Sequence, residues 1–126
     1  MISDAEAHQA ILLSDADLLR SLGTELVGPQ AFPLLPQELV ERATRWLTAQ
    51  TTYLQTHICG SGRIRSFVET KDEGGDVEIV IELAKLLADL LLPVNPVTLA
   101  ALLAKRGLKG LCETQWSAAD VQGGIH

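Results

Sequence analysis

The segment "DVEIVIELAKLLADLLLP", residues 76–93, is the most apolar stretch of the chain and decides the fold class. It contains four inner charges, which are Glu78, Glu82, Lys85 and Asp89. At 100° per residue these charges fall within about 60° of a helix circumference, so they form one polar stripe. A strand accounts for five residues of this pattern, whereas a helix accounts for the sixteen that follow Asp76. The segment is therefore predicted to be a helix that Asp76 caps and Pro93 ends.

The composition agrees with a helical domain. Of 126 residues, 47% are apolar and only 4% are aromatic, so leucine, alanine, valine and isoleucine must build the core. Such a composition favours helices over sheets, and the length suits one domain. The apolar run is shorter than the roughly 20 residues that a membrane span requires, and it contains charges. We therefore expect no membrane span.

Capping and stop signals predict the remaining helices. Ser3 in "SDAE" and Ser14 in "SDAD" are N-cap signals, which indicates two short helices at the start of the chain. A long helix is predicted from Gln37 to His57, where "CGSG" ends it. The stretch "NPVTLAALLAKRGL", residues 95–108, has an asparagine cap, a proline in first position and a glycine stop. The sequence predicts an all-α compact bundle of about five or six helices, with the helix 76–92 at its centre.

Two segments carry weaker helical signals. A short helix fits residues 63–71, but "RIRSFVE" could instead pair with "VEIVI" across "KDEGGD". That alternative is an α+β fold with a β-hairpin at 63–81, and the helical spacing argues against it. The last stretch, residues 108–126, has weak periodicity and a pair of glycines near its end, and it could hold one short helix near Trp116. One helical domain is therefore predicted over residues 1–113, followed by a poorly ordered C-terminal tail over residues 114–126.

The stretch "THICGSGR", residues 56–63, contains the candidate catalytic residues. His57 and Cys59 could act as a Cys–His pair, in which a nearby arginine lowers the thiol pKa and favours a nucleophilic thiolate. Residues at i and i+2 of a helix point apart, so the pair can meet only if the helix breaks between them. The favoured interpretation is a helix C-terminus with a buried thiol and a partly buried histidine.

Arg63 and Arg65 give the same region a second candidate role, an anion-binding site. The preceding glycines could cradle a phosphate at the start of the next helix. A P-loop, however, requires a preceding strand and a lysine followed by serine or threonine, and this stretch has neither. A glycine turn with two solvated arginines is therefore the favoured interpretation.

The charge and the cysteine and histidine spacings argue against several other functions. A net charge of −6 disfavours binding to nucleic acid. Three histidines and two cysteines show no metal-binding spacing, so we expect neither a metal nor a cofactor. Two cysteines are too few for a disulfide framework, and the N-terminus lacks the pattern of a signal peptide. A cytoplasmic location is predicted.

An excess of apolar surface predicts a binding partner. The helix 76–92 is apolar over roughly 300° of its circumference, and the next helix is apolar on most sides too. Two such helices exceed what a small monomer covers comfortably. The sequence therefore predicts a non-catalytic interaction module (an adaptor, accessory subunit or regulator) that binds another protein chain or a second copy of itself. The predicted contact residues are Leu86, Leu90, Leu99 and Leu103. The alternative is a small enzyme or anion-binding protein built on His57, Cys59, Arg63 and Arg65.

Overall fold

The protein is all-α. The computed structural model describes residues 2–28, 34–70 and 77–125, without the side chains of residues 70 and 118–125, and these ranges contain seven helices and no strand. The helices are α1 (Asp4–Leu12), α2 (Asp15–Val27), α3 (Pro36–Cys59), α4 (Gly62–Thr70), α5 (Val77–Asp89), α6 (Pro96–Arg106) and α7 (Leu108–Ile125). The predicted helical bundle is confirmed. The β-hairpin alternative at 63–81 is wrong, because both of its arms lie in helices, α4 and α5.

Side-chain caps begin three helices as the sequence predicts. The Ser3 hydroxyl accepts a hydrogen bond from the Glu6 N–H at 3.2 Å, and the Ser14 hydroxyl accepts one from the Asp17 N–H at 3.1 Å. Asn95 Oδ1 caps α6 in the same way. Each bond satisfies a backbone N–H that has no partner within its helix, and such a cap stabilises the fold by about 1 kcal/mol. The division of the N-terminal segment into two helices is confirmed.

Helix α6 forms the centre of the bundle. Every residue from Leu99 to Ala104 is buried, and Val97 is buried as well. The helix packs against α1, α2, α5 and α7, so it has neighbours on several sides. Its charged residues, Lys105 and Arg106, lie in the last turn, where they favour the negative end of the helix dipole. The middle of α6 therefore presents only apolar side chains, all of which the chain itself covers.

Helix α5 lies beside this centre. It is shorter than predicted, and its predicted cap Asp76 lies outside the described residues. Its buried residues are Ile79, Val80, Leu83, Ala84 and Leu87. Glu78, Lys85 and Asp89 on its polar stripe are exposed to water. The prediction that this helix occupies the centre is wrong, because a charged stripe must face solvent and α6 has no charge in its middle.

Helix α7 runs through the C-terminal segment. It continues to Ile125, so it includes residues 114–125, to which the sequence analysis assigns a poorly ordered tail. Gly107, with φ of 102°, is the single residue between α6 and α7. Leu108, Cys112 and Trp116 are buried at four-residue spacing. This spacing places them on one side of the helix, so α7 presents one apolar stripe to the bundle.

Helices α2 and α3 cross closely at Gly23. A β-carbon on Gly23 would lie 2.1 Å from the backbone carbonyl oxygen of Leu39. Because carbon and oxygen atoms cannot approach to this distance without a bond, only glycine permits this crossing. Gly110 in α7 differs, since a β-carbon there would meet nothing within 4 Å.

We expect Gly23→Ala to destabilise the protein by about 1–3 kcal/mol, because its methyl group would push α2 away from the backbone of α3. The matched change Gly110→Ala places a methyl group in open space and should stabilise the protein by about 0.4–1 kcal/mol. Urea unfolding followed by circular dichroism measures both effects. Equal effects in the two variants would show that α2 and α3 do not approach each other in this way.

Candidate interaction surface

Cys59 is joined to Cys112 by a disulfide bond, so the predicted buried thiol is absent from this structure. The bond connects the last residue of α3 to α7, with 5.3 Å between the two Cα atoms. Cys59 is 7% exposed and Cys112 is 0% exposed. A bond between residues 53 positions apart stabilises the fold by about 4 kcal/mol, through the entropy it removes from the unfolded chain. A sulfur in a disulfide is no nucleophile, so the oxidised protein lacks the thiolate that the Cys–His hypothesis requires.

His57 lies on the exposed side of α3. Its ring contacts the ring of Tyr53 edge-on, with 4.6 Å between the centroids, and Tyr53 is itself 43% exposed. Residues four apart share one face of a helix, so these two aromatic side chains form a pair on the surface. The expectation of a partly buried His57 is therefore wrong.

Arg63 and Arg65 are both engaged with carboxylates of their own chain. Arg63 Nε lies 3.0 Å from Glu82 Oε2, and Arg65 Nε lies 2.7 Å from Glu69 Oε1. The Arg65 guanidinium also stands over the Trp116 ring, 5.4 Å from its centroid. These pairs compensate the positive charge on which the anion-site hypothesis depends. Both carboxylates therefore compete with any anion that approaches these arginines.

A cleft of about 410 Å³ opens beside Arg65, between α4 and α7. It is lined by Arg65, Val68, Glu69, Lys109, Glu113, Trp116 and Ser117. Its lining contains two cations and two carboxylates, so its charges balance. Trp116 links two of the predicted site residues, because its ring lies under Arg65 and its Nε1–H donates to the Cys59 carbonyl oxygen at 2.9 Å. His57 and Arg63 have partners elsewhere, so the predicted cluster does not assemble into one site.

The four leucines predicted as contact residues separate into two pairs. Leu99 is 0% exposed and Leu103 is 8% exposed, so helices of the same chain cover both side chains. Leu86 and Leu90 are half-buried against the core. Leu99 and Leu103 are therefore core residues, and only Leu86 and Leu90 keep a surface that a partner could contact.

A largely apolar groove lies between α1 and the start of α6. It has a volume of about 490 Å³ and is lined by Glu6, Gln9, Ala10, Leu12, Leu13, Asn95, Val97 and Thr98. Leu12 is 77% exposed and Leu13 is 40% exposed. We call this surface the α1–α6 groove. Large aliphatic side chains that are exposed together beside a concave surface are typical of places where another molecule binds.

The end of α1 is fixed to the C-terminus of α6. Lys105 Nζ donates a hydrogen bond to the Leu13 carbonyl oxygen. The Arg106 guanidinium donates two hydrogen bonds to the Asp15 carboxylate, at 3.2 and 3.3 Å. These bonds hold the connection between α1 and α2 against the central helix. The exposed leucines therefore belong to a defined surface of the bundle.

Metal and membrane sites find no support in the parts of the chain that the structure describes. Among the described side chains, those of residues 2–28, 34–69 and 77–117, no group of three or more His, Cys, Asp or Glu residues could hold a metal ion. The helices in the same ranges include none with both the length and the apolarity that crossing a bilayer requires.

Comparisons of the chain with protein-family models, with curated proteins and with solved structures find no match. A functional argument therefore depends on the geometry, charge and burial of this chain's own residues. Of the surfaces described above, the α1–α6 groove combines exposed aliphatic side chains with a shallow, open depression. The α1–α6 groove is therefore the candidate interaction surface.

Glu25 connects the end of α2 to the start of α6. Its carboxylate accepts a hydrogen bond from the Asn95 N–H. Desolvation at this position raises the pKa of Glu25 above its ordinary value and outweighs the hydrogen bond, which lowers it. The folded protein therefore binds this proton more tightly than the unfolded chain does. The stability that the proton contributes is complete at acidic pH and is lost as the pH rises through the folded pKa.

We expect Glu25→Gln to change how stability depends on pH. Glutamine can accept the same hydrogen bond but does not titrate, so it avoids the desolvation of a charge. As the pH rises above the ordinary pKa range of a glutamate carboxyl, the wild type should therefore lose stability relative to the variant. Urea unfolding of both proteins at several pH values measures this difference. The raised pKa would be contradicted if the difference in unfolding free energy between the two proteins stayed constant with pH. It would also be contradicted if the wild type gained stability relative to the variant as the pH rises.

Proposed function

We propose that this protein is a non-catalytic helical interaction module that binds a partner protein in the α1–α6 groove. The exposure of Leu12, at 77%, is the observation that carries the proposal. A leucine left in water contributes little to folding, whereas covering it with a partner is favourable by about 1.5–3 kcal/mol. Leu13 adds a second aliphatic side chain next to it, and Ala10 and Val97 line the same groove.

The charge around the groove favours a partner that is both apolar and basic. Helix α1 contains no lysine or arginine, and Lys105 of α6 adds one positive charge beside Leu13. Asp4 and Glu6 stand in the first turn of α1, and Glu6 lines the groove. Complementary charge steers a partner and excludes acidic competitors. An amphipathic helix with leucine-type anchors flanked by lysine or arginine meets both requirements, since such helices bind in apolar grooves.

The proposal includes three more specific roles for a protein that binds a partner. Binding without catalysis corresponds to an adaptor, an accessory subunit or a regulator of a larger complex, at the predicted cytoplasmic location. Leu86 and Leu90 offer a second half-exposed apolar strip on the C-terminal half of the chain. We do not extend the proposal to the enzyme alternative, because Cys59 is buried whereas His57 contacts Tyr53 on the exposed side of α3.

A synthetic amphipathic helix of leucine and lysine is a suitable probe. Fluorescence anisotropy of the labelled peptide should show saturable binding to the wild type, and Leu12→Asp should weaken that binding at least tenfold, which corresponds to about 1.4 kcal/mol. The substitution adds a negative charge, so a purely electrostatic attraction would strengthen in this variant. Loss of binding would therefore report the loss of the apolar contact.

Leu35→Asp is the matched control, because Leu35 is 52% exposed and does not line the groove. It adds the same charge and should leave the affinity for the peptide unchanged. Equal effects of Leu12→Asp and Leu35→Asp, or no binding to the wild type, would refute the groove proposal. A wild type that sediments as a dimer, together with a monomeric Leu12→Asp variant, would identify the occupant as a second copy instead of a basic partner.

A further inference from the structure

Three bonds fasten α7 to the end of α3. The first is the disulfide between Cys59 and Cys112. The second is the buried hydrogen bond from Trp116 Nε1 to the Cys59 carbonyl oxygen, at 2.9 Å. The third runs from Gln55 Nε2 to the Leu111 carbonyl oxygen, at 3.0 Å. All three connect the last two turns of α3 with residues 111–116 of α7, so the attachment is concentrated in one place.

Beyond these three bonds, the contact between α7 and the bundle is small. The described part of α7 buries one stripe, Leu108, Cys112 and Trp116, and packs mainly on α3 with a smaller contact to α6. Gly107 alone connects α7 to α6, and its φ of 102° lies in a region that glycine adopts without steric cost. Up to Ser117, α7 is held by this stripe, by the partly buried Leu111 and by the contact between Trp116 and Arg65. Because it joins α6 through one glycine, it can separate from a bundle whose centre is formed by α6.

We propose that the Cys59–Cys112 bond is a redox switch that holds α7 on the bundle when oxidised and releases it when reduced. This inference concerns α7 and does not rest on binding in the α1–α6 groove. Release would uncover the apolar stripe of α7, the end of α3 against which it packs and the smaller part of α6 that it contacts.

The reductant is a dithiol of the thioredoxin class, or dithiothreitol in the laboratory. One of its thiolates attacks a sulfur of the bond, forms a mixed disulfide and expels the other cysteine as a thiolate. The second thiol of the reductant then displaces the attached cysteine and closes the reductant's own disulfide. Two electrons and two protons pass to the protein, which ends with two thiols at Cys59 and Cys112. In a reducing cytoplasm the released form is favoured, so the docked form would report oxidising conditions.

Trp116 provides the test, because the chain has only two tryptophans. In a Trp46→Phe variant all tryptophan emission comes from Trp116, which is 9% exposed in the docked state. Dithiothreitol should shift this emission to longer wavelength and increase its quenching by acrylamide several-fold, while the helical circular dichroism keeps one cooperative thermal transition. A Cys59→Ala/Cys112→Ala version of this variant should show the released emission without reductant and should not respond to it. In the converse variant, Trp116→Phe, the emission of Trp46 should stay unchanged.

Any one of three other outcomes would contradict the proposed redox switch. Two thiols that titrate in the protein before any reductant is added would show that the bond does not form. Unchanged Trp116 emission after complete reduction, verified by thiol titration, would show that the stripe and the hydrogen bonds hold α7 without the disulfide. Loss of the cooperative transition on reduction would show that the bond stabilises the whole bundle and does not act on α7 alone.

Discussion

The burial of helix α6 is the constraint on which the rest of the structure depends. Its middle has no polar side chain, so every side of it must be covered by the chain, and α1, α2, α5 and α7 pack against it. Ala100, Ala101 and Ala104 allow neighbouring helices to come close, while Leu99, Leu102 and Leu103 fill the space between them. This arrangement accounts for the apolar character of residues 97–104 without a partner chain, and it leaves the question of function to other surfaces.

The properties of the other surfaces depend on how each outer helix is attached to the rest of the bundle. Helix α1 covers part of α6, and hydrogen bonds from Lys105 and Arg106 hold its end, which places Leu12 and Leu13 at the surface. Helix α7 is attached mainly to α3, and the strongest element of that attachment is covalent. One outer helix therefore presents exposed leucines at a fixed position, while the other depends on a bond that a reductant can break. Leu12 and Leu13 lie outside the core, so changes there can alter binding without unfolding the bundle, whereas Leu108, Cys112 and Trp116 of α7 pack within the core.

Local signals in the sequence are sufficient to predict the helices but not how the helices pack together. Ser3, Ser14 and Asn95 act within four residues of themselves, so their caps could be predicted directly. The distribution of charges indicates the central position of α6. The charges of α5 require a solvent-facing side, whereas α6 has no charged residue between Val97 and Ala104. The disulfide had no local signal, because its cysteines are 53 positions apart. The exposure of Leu12 had no signal in the sequence, because hydrophobic periodicity does not register that a helix ends at that residue.

Native-state hydrogen exchange at increasing urea concentration tests the central role of α6 most directly. If α6 is the core of the bundle, the amides of residues 99–104 exchange only through global unfolding, with an opening free energy equal to that measured by urea denaturation. Amides of α4 and of the polar side of α5 should open at lower free energy, because they have fewer buried neighbours. Exchange of α6 through a local opening, while the amides of α3 or α5 stay protected, would contradict the account.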